Sequence, residues 1–190
     1  SYSLENVTTG TDNVSVGFVA GRRITGTYNV SIGSYAHDYG YVSTKSVAIG
    51  YQSAQYSTGS ENTFMGYQAG RGGTNSAPYS SGENNTAVGY QSFDAFTTAG
   101  NTTALGYQAG SAITSGNSNT TIGYQSSLSL TSGAANVTIG SAAGDAMTDT
   151  SHTVLIGANA GTAINSTDAN GTVAIGYNAG KAITDGQYNT

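Results

Sequence analysis

Cysteine and tryptophan are absent from this chain of 190 residues, and proline occurs once. Without cysteine there are no disulfides and no thiolate metal ligands. Charged residues make up only 8% of the chain, against roughly 25% in typical soluble proteins. Five Lys and Arg and a net charge of −5 argue against nucleic acid as a partner, because phosphate binding needs clustered cations. The only adjacent basic pair is Arg22-Arg23. No apolar run approaches membrane-spanning length. No leader peptide stands at Ser1, which leaves the compartment open, because a secreted protein sheds its leader. In place of charge there is neutral polarity: 28 glycines, with Ser, Thr and Asn filling much of the remainder.

What is present is a repeat. Ten glycines anchor ten copies: Gly17, Gly33, Gly50, Gly66, Gly89, Gly106, Gly123, Gly140, Gly157 and Gly176. Successive anchors lie 16, 17, 16, 23, 17, 17, 17, 17 and 19 residues apart. A period in this range marks a stacked-repeat architecture. The residue before each anchor is apolar: Val16, Ile32, Ile49, Met65, Val88, Leu105, Ile122, Ile139, Ile156 and Ile175. Two residues earlier only Val or Thr occurs, as in Val14, Val47, Thr86 and Thr120. Between these columns runs a small or polar one, with Ser15, Ser31, Ala48, Ala87 and Thr121, interrupted by Phe64 and Leu155. Alternation with period two and β-branched enrichment predict a strand.

Three residues past the anchor stands Ala or Ser in every copy, and a second Gly follows in six, among them Gly21, Gly70 and Gly110. These predict a tight bend. A shorter apolar column lies seven past the anchor, with Ile24, Phe96, Ile113, Leu130, Met147, Ile164 and Ile183. Segments such as Ala112-Ile113-Thr114 predict a second strand there. Apolar spacing is not helical, and Gly, Ser and Thr are poor helix formers. The predicted fold is all-β: a parallel β-solenoid, or β-roll, of about ten coils of 16–17 residues. Stacking aligns Tyr51, Tyr67, Tyr90, Tyr107, Tyr124 and Tyr177 in one ladder, and Gln52, Gln68, Gln91, Gln108 and Gln125 in another. Asn13, Asn29, Asn62, Asn85, Asn119 and Asn136 form a third; stacked amides hydrogen-bond along such an axis.

A coil of this size encloses little apolar core. Val14, Val16 and their equivalents are expected to fill it, so that the ten apolar residues before the anchors form the repeat core. The small alternate column is expected to let several chains meet closely around one axis.

Candidate chemistry is sparse. His37-Asp38 offers an acid/base or ligand pair, but an exposed corner variation is the expected role. His152 lies near Asp149 and Ser151, without any oxyanion-hole element of a triad. The acidic residues are scattered singly, and no calcium-binding nonapeptide occurs. No catalytic, cofactor-binding or metal-binding residue is assigned, and no enzyme activity is expected. Two insertions break the repeat, a larger one at about 71–84 and a smaller one around Asn165–Asn170. Arg71, Pro78, Tyr79 and Glu83 in the larger one are the candidate surface-recognition residues, since binding residues concentrate on loops. The Tyr column suits either sugar stacking or chain–chain packing, with packing expected.

Ser46-Val47-Ala48-Ile49-Gly50 and Thr172-Val173-Ala174-Ile175-Gly176 resemble the repeat of trimeric autotransporter adhesin heads. Asn62-Thr63-Phe64-Met65-Gly66-Tyr67-Gln68-Ala69-Gly70 resembles repeats of phage tail-fibre and related virion proteins more closely. The resemblance covers about residues 11–190. It implies a left-handed parallel β-roll packed as a homotrimer, although the coils here are longer than the adhesin repeat. It also implies an extracellular role on a virion tail fibre or a bacterial surface. The expected function is a rigid structural rod used in host attachment, with itself and a host surface glycan or protein as partners. An adhesin head that binds matrix or glycans is the alternative, and a polysaccharide-degrading spike comes after it. Residues 1–10 read as a degenerate coil and Tyr188-Asn189-Thr190 as the start of an eleventh, so a segment of a longer fibre is expected.

Overall fold

The computed structural model describes residues 3, 4 and 9–190. The degenerate coil read around Asn6-Val7-Thr8 falls mostly outside the described residues. Within them, Leu4 donates its N–H to the Ala20 carbonyl at 3.2 Å, the bond that the residue four past an anchor makes in later coils.

Ten strands of three residues follow in chain order: β1 (Val14–Val16), β2 (Val30–Ile32), β3 (Val47–Ile49), β4 (Thr63–Met65), β5 (Thr86–Val88), β6 (Thr103–Leu105), β7 (Thr120–Ile122), β8 (Val137–Ile139), β9 (Val154–Ile156) and β10 (Val173–Ile175). Each pairs in parallel with the next, giving one ten-stranded sheet in sequential order. The register follows the repeat. Val14 pairs Val30, Ala104 pairs Thr121, and Ile139 pairs Ile156. The larger insertion leaves it intact, since Phe64 still pairs Ala87. The chain is therefore a parallel β-solenoid of about ten turns, as the repeat predicts.

The anchor glycines turn the chain at the end of each strand with φ between +125° and +136°, a region open essentially to glycine. The corner continues through residues two and four past the anchor, both left-handed. Gln68 has φ +55° and Gly70 φ +53°, and Gln91 and Phe93 repeat the pair at +49° and +52°. A non-glycine residue there costs about 1–2 kcal/mol. Inter-coil bonds hold it in place: Gln68 N–H donates to Tyr51 O at 2.9 Å, and Gly70 N–H to Ser92 O at 2.9 Å.

Two expectations are corrected. The first concerns which strand face is inside. The middle residue of each strand points into the coil: Ala48, Phe64, Ala87, Ala104 and Leu155 are fully buried. The flanking residues point out. Val16, Ile32, Met65, Val88 and Ile175 are exposed, and Ile49, Leu105, Ile122, Ile139 and Ile156 are only partly covered. The ten residues before the anchors are thus an outer ladder and not the core. The interior is too narrow for them. Its middle-strand residue faces the residue four past the anchor, and the two share one volume. Phe64 sits where Gly70 has no side chain, a Cβ there striking the ring at 2.5 Å. In the next coil small Ala87 is matched by buried Phe93.

The second correction concerns the other side of the coil. The residue seven past the anchor is buried as expected, with Ile113, Leu130, Met147 and Ile164 at 0% exposure. No second strand forms there among the described residues; one isolated bridge, Ser57 to Ser80, is all that pairs. The physical reason is a shared acceptor. Thr114 and Ser115 N–H both donate to the Thr131 carbonyl, at 2.9 and 3.2 Å. Converging donors cannot continue the even spacing of a parallel ladder.

The three side-chain ladders are present, except that Ser141 and Ala158 stand between Tyr177 and the stacked tyrosines. The buried Asn column bonds from coil to coil, with Asn136 N–H donating to Asn119 Oδ1 at 3.0 Å and Thr153 N–H to Asn136 Oδ1 at 3.0 Å. Gln68, Gln91, Gln108 and Gln125 each donate an amide N–H to the preceding glutamine at 2.7–3.2 Å. Tyr67, Tyr90, Tyr107 and Tyr124 stack with centroids 5.0–5.3 Å apart and planes within 11°. Their rings stay 42–54% exposed beside the outer apolar ladder.

Candidate functional site: a tyrosine and arginine cluster

The residues six and eight past each anchor flank the buried residue at seven and face outward, away from the strand. In most coils they are small. Ala112, Ala146 and Ala163 occupy the first column, and Thr114, Thr131 and Thr148 the second. In the first three coils they are not all small. Arg23, Tyr39 and Tyr56 follow one another in the first column, and Tyr41 interrupts the second. Tyr79, from the larger insertion, comes down among them. Its ring lies 5.2 Å from Tyr39, 5.6 Å from Tyr41 and 6.3 Å from Tyr56. Tyr39 and Tyr56 touch at 5.4 Å. Four of the 14 tyrosines are thereby gathered on one patch.

Arg23 lies over the Tyr39 ring, 4.3 Å from its centroid, a cation–π geometry. Arg22 is committed elsewhere. Its Nε is 2.9 Å from Asp38 Oδ1, and its Nη2 donates to Oδ2 at 3.3 Å. Burial pushes the Asp38 carboxyl up, and Arg22 and Arg23 pull it back. Arg71 lies further along the column of residues five past the anchor, between Gln55 and Asp94. Burial raises Asp94 to about 6, against the pull of Arg71.

The four insertion residues named from sequence separate. Tyr79 joins the cluster, and Arg71 borders it as a coil residue. Pro78 is exposed, its carbonyl accepting from Thr74 Oγ1 at 3.0 Å. Glu83 is exposed past the point where the chain re-enters the coil, and its carbonyl accepts from Asn101 N–H at 3.0 Å. Ser80 already occupies the place of Ser57 in the preceding coil, so the excursion narrows to residues 74–79. Tyr39, Tyr41 and Tyr56 are not singled out from sequence, and Arg23 only as half of the adjacent basic pair. Their signal was available: aromatic and basic residues where other coils hold Ala or Thr.

His37 and Asp38 are not an exposed corner variation. His37 is fully buried, and Gly40, where seven other coils carry an apolar residue, leaves it room. A Cβ on Gly40 would meet its ring at 2.5 Å. Its Nε2 is 2.7 Å from Ser43 Oγ and its Nδ1 3.4 Å from Ser31 Oγ. Burial lowers it to about 4. Asp38 points the other way, to the arginines, so the pair does not share a site. His152 is exposed, and Ser151 Oγ is occupied by Ala134 N–H at 3.0 Å. Among the described residues no group of three His, Cys, Asp or Glu is placed to hold a metal, and no helix is long and apolar enough to cross a membrane.

No family model matches this sequence, and neither a curated protein nor a solved structure matches it.

Proposed function

We propose that the chain is a rigid structural segment of an extracellular fibre, a phage tail fibre or similar virion appendage, assembled as a homotrimer and used in host attachment. One observation carries the reading. The outer face of the sheet carries an apolar ladder along the whole rod, from Val16, more than half exposed, to Ile175 at 65%. The stacked tyrosines border it. A continuous exposed apolar ladder of this kind marks an association surface, and a single coil has no interior to receive it. Assembly through this face reverses the expectation that the small column lies between chains. The number three and the virion setting come from the resemblance of the repeats.

Native mass measured without denaturant tests the reading. A species of three chains is expected, and a stable monomer at micromolar concentration overturns it. The Ser46–Gly50 and Thr172–Gly176 copies favour a second reading, the head of a bacterial trimeric surface adhesin. A C-terminal membrane barrel encoded with this segment would decide for the adhesin, and a virion-binding region for the tail fibre.

A further inference from the structure

We propose that Tyr39, Tyr41, Tyr56 and Tyr79, with Arg23 laid across Tyr39, form a platform for an acidic glycan, a sugar chain whose pyranose rings carry carboxylates. The proposal rests on the attachment reading, to which it adds a ligand class and a place.

The cluster exceeds what the fold requires. Coils further along the rod close with Ala112 and Thr114, or Ala146 and Thr148, at the same two positions. Tyrosine offers the apolar C–H face of a pyranose a flat ring, and its hydroxyl both donates and accepts. Tyr41 is 37% exposed.

Charge selects the sugar. Three of the five Lys and Arg of this acidic chain, Arg22, Arg23 and Arg71, lie in or beside the patch. Arg22 and Asp38 neutralise each other through two close contacts. Arg23 is only loosely paired with Asp38: its buried Nη1 lies 3.8 Å from Asp38 Oδ1, beyond hydrogen-bond distance. Its side chain is 28% exposed. The exposed edge of a guanidinium laid over a ring matches a carboxylate with its two acceptor oxygens. The patch faces away from the apolar strand face, so association through that face leaves it open.

The test is calorimetric titration of the whole chain with a panel of uronic-acid- and sialic-acid-terminated oligosaccharides, each beside its carboxyl-reduced neutral counterpart. At least one acidic member should bind, and its reduced counterpart should bind at least tenfold more weakly. Arg23→Ala and Tyr41→Thr install the residues other coils carry, so the solenoid should keep its melting temperature and native mass. Each should weaken binding about ten- to a hundredfold, the worth of a lost charge-assisted contact. Binding by no acidic member, equal binding of the reduced sugars, or unchanged affinity in both variants overturns the platform. A monomeric native mass sinks the fibre reading instead, whatever the titration shows.

Discussion

Gly106 lies so close beneath Gly123 of the next coil that a Cβ on the first would sit 2.5 Å from the carbonyl oxygen of the second. The same approach recurs between successive anchors, at Gly33 with Gly50 and at Gly123 with Gly140. Each anchor thus has two reasons to be glycine, its positive φ and the carbonyl stacked on it. Gly176 has only the first, since its nearest neighbour is the Ala179 Cβ at 3.8 Å.

The pair of variants Gly106→Ala and Gly176→Ala separates these causes. The backbone conformation alone should cost about 1–3 kcal/mol in Gly176→Ala. Gly106→Ala should cost more, because the backbone must also give way around a 2.5 Å contact with the Gly123 carbonyl oxygen. Thermal unfolding of both variants checks the order.

Asn136 shows what the buried ladder contributes. It donates to Asn119 Oδ1 at 3.1 Å and Thr150 O at 2.8 Å, and accepts from Thr153 N–H at 3.0 Å. Asn136→Ala leaves those groups buried without partners and should cost about 3 kcal/mol or more. Asn136→Thr should cost less, since Thr102 and Thr153 already serve in this column. Denaturant titration measures both.

The outer ladder makes a prediction of opposite sign for fold and assembly. Ile122→Lys places a charge on the exposed sheet face. The single-chain solenoid should keep its stability to within about 1 kcal/mol, while native mass falls to that of one chain. Unfolding of the variant would instead favour an inward-facing ladder.

Buried His37 predicts acid sensitivity. It stays neutral down to about pH 4 in the fold, and its ordinary value is 6.5. Between those values the unfolded chain binds more protons than the folded one, so stability falls as pH drops from 6.5 to 4, by about 3 kcal/mol in all. Above 6.5 and below 4 this group contributes no slope. Asp94, raised to about 6, acts in the opposite direction over the lower part of this range. His37→Gly installs the residue that six coils carry at this position, and should remove only the histidine slope. Equal pH profiles of the two proteins would show that His37 is not the cause.

Part of the tyrosine and arginine cluster was legible and part was not. Tyr79 stood out because it lies in an insertion, and Arg71 because it begins one. Tyr39, Tyr41 and Tyr56 are 15 or more residues apart from the nearest neighbour in a different coil, and only the stacking of coils brings them together. His37 and Asp38 show the converse, adjacent in sequence and pointing to opposite sides of the coil wall.

The sequence by itself determined the repeat, the strand, the parallel register and the three ladders. Each is a matter of period, and period survives in a one-dimensional string. Only the tertiary structure decided which strand face is the core. Alternation with period two says that Ala104 and Leu105 face opposite ways, but not which way is in. Hydrophobicity pointed to Leu105, and space decided for Ala104. A coil wall of about 17 residues, bent through left-handed corners, leaves room inside for a large side chain at this position only where the facing residue is small, as Phe64 faces Gly70. The apolar residues before the anchors are therefore turned outward, along the face through which the rod is proposed to assemble.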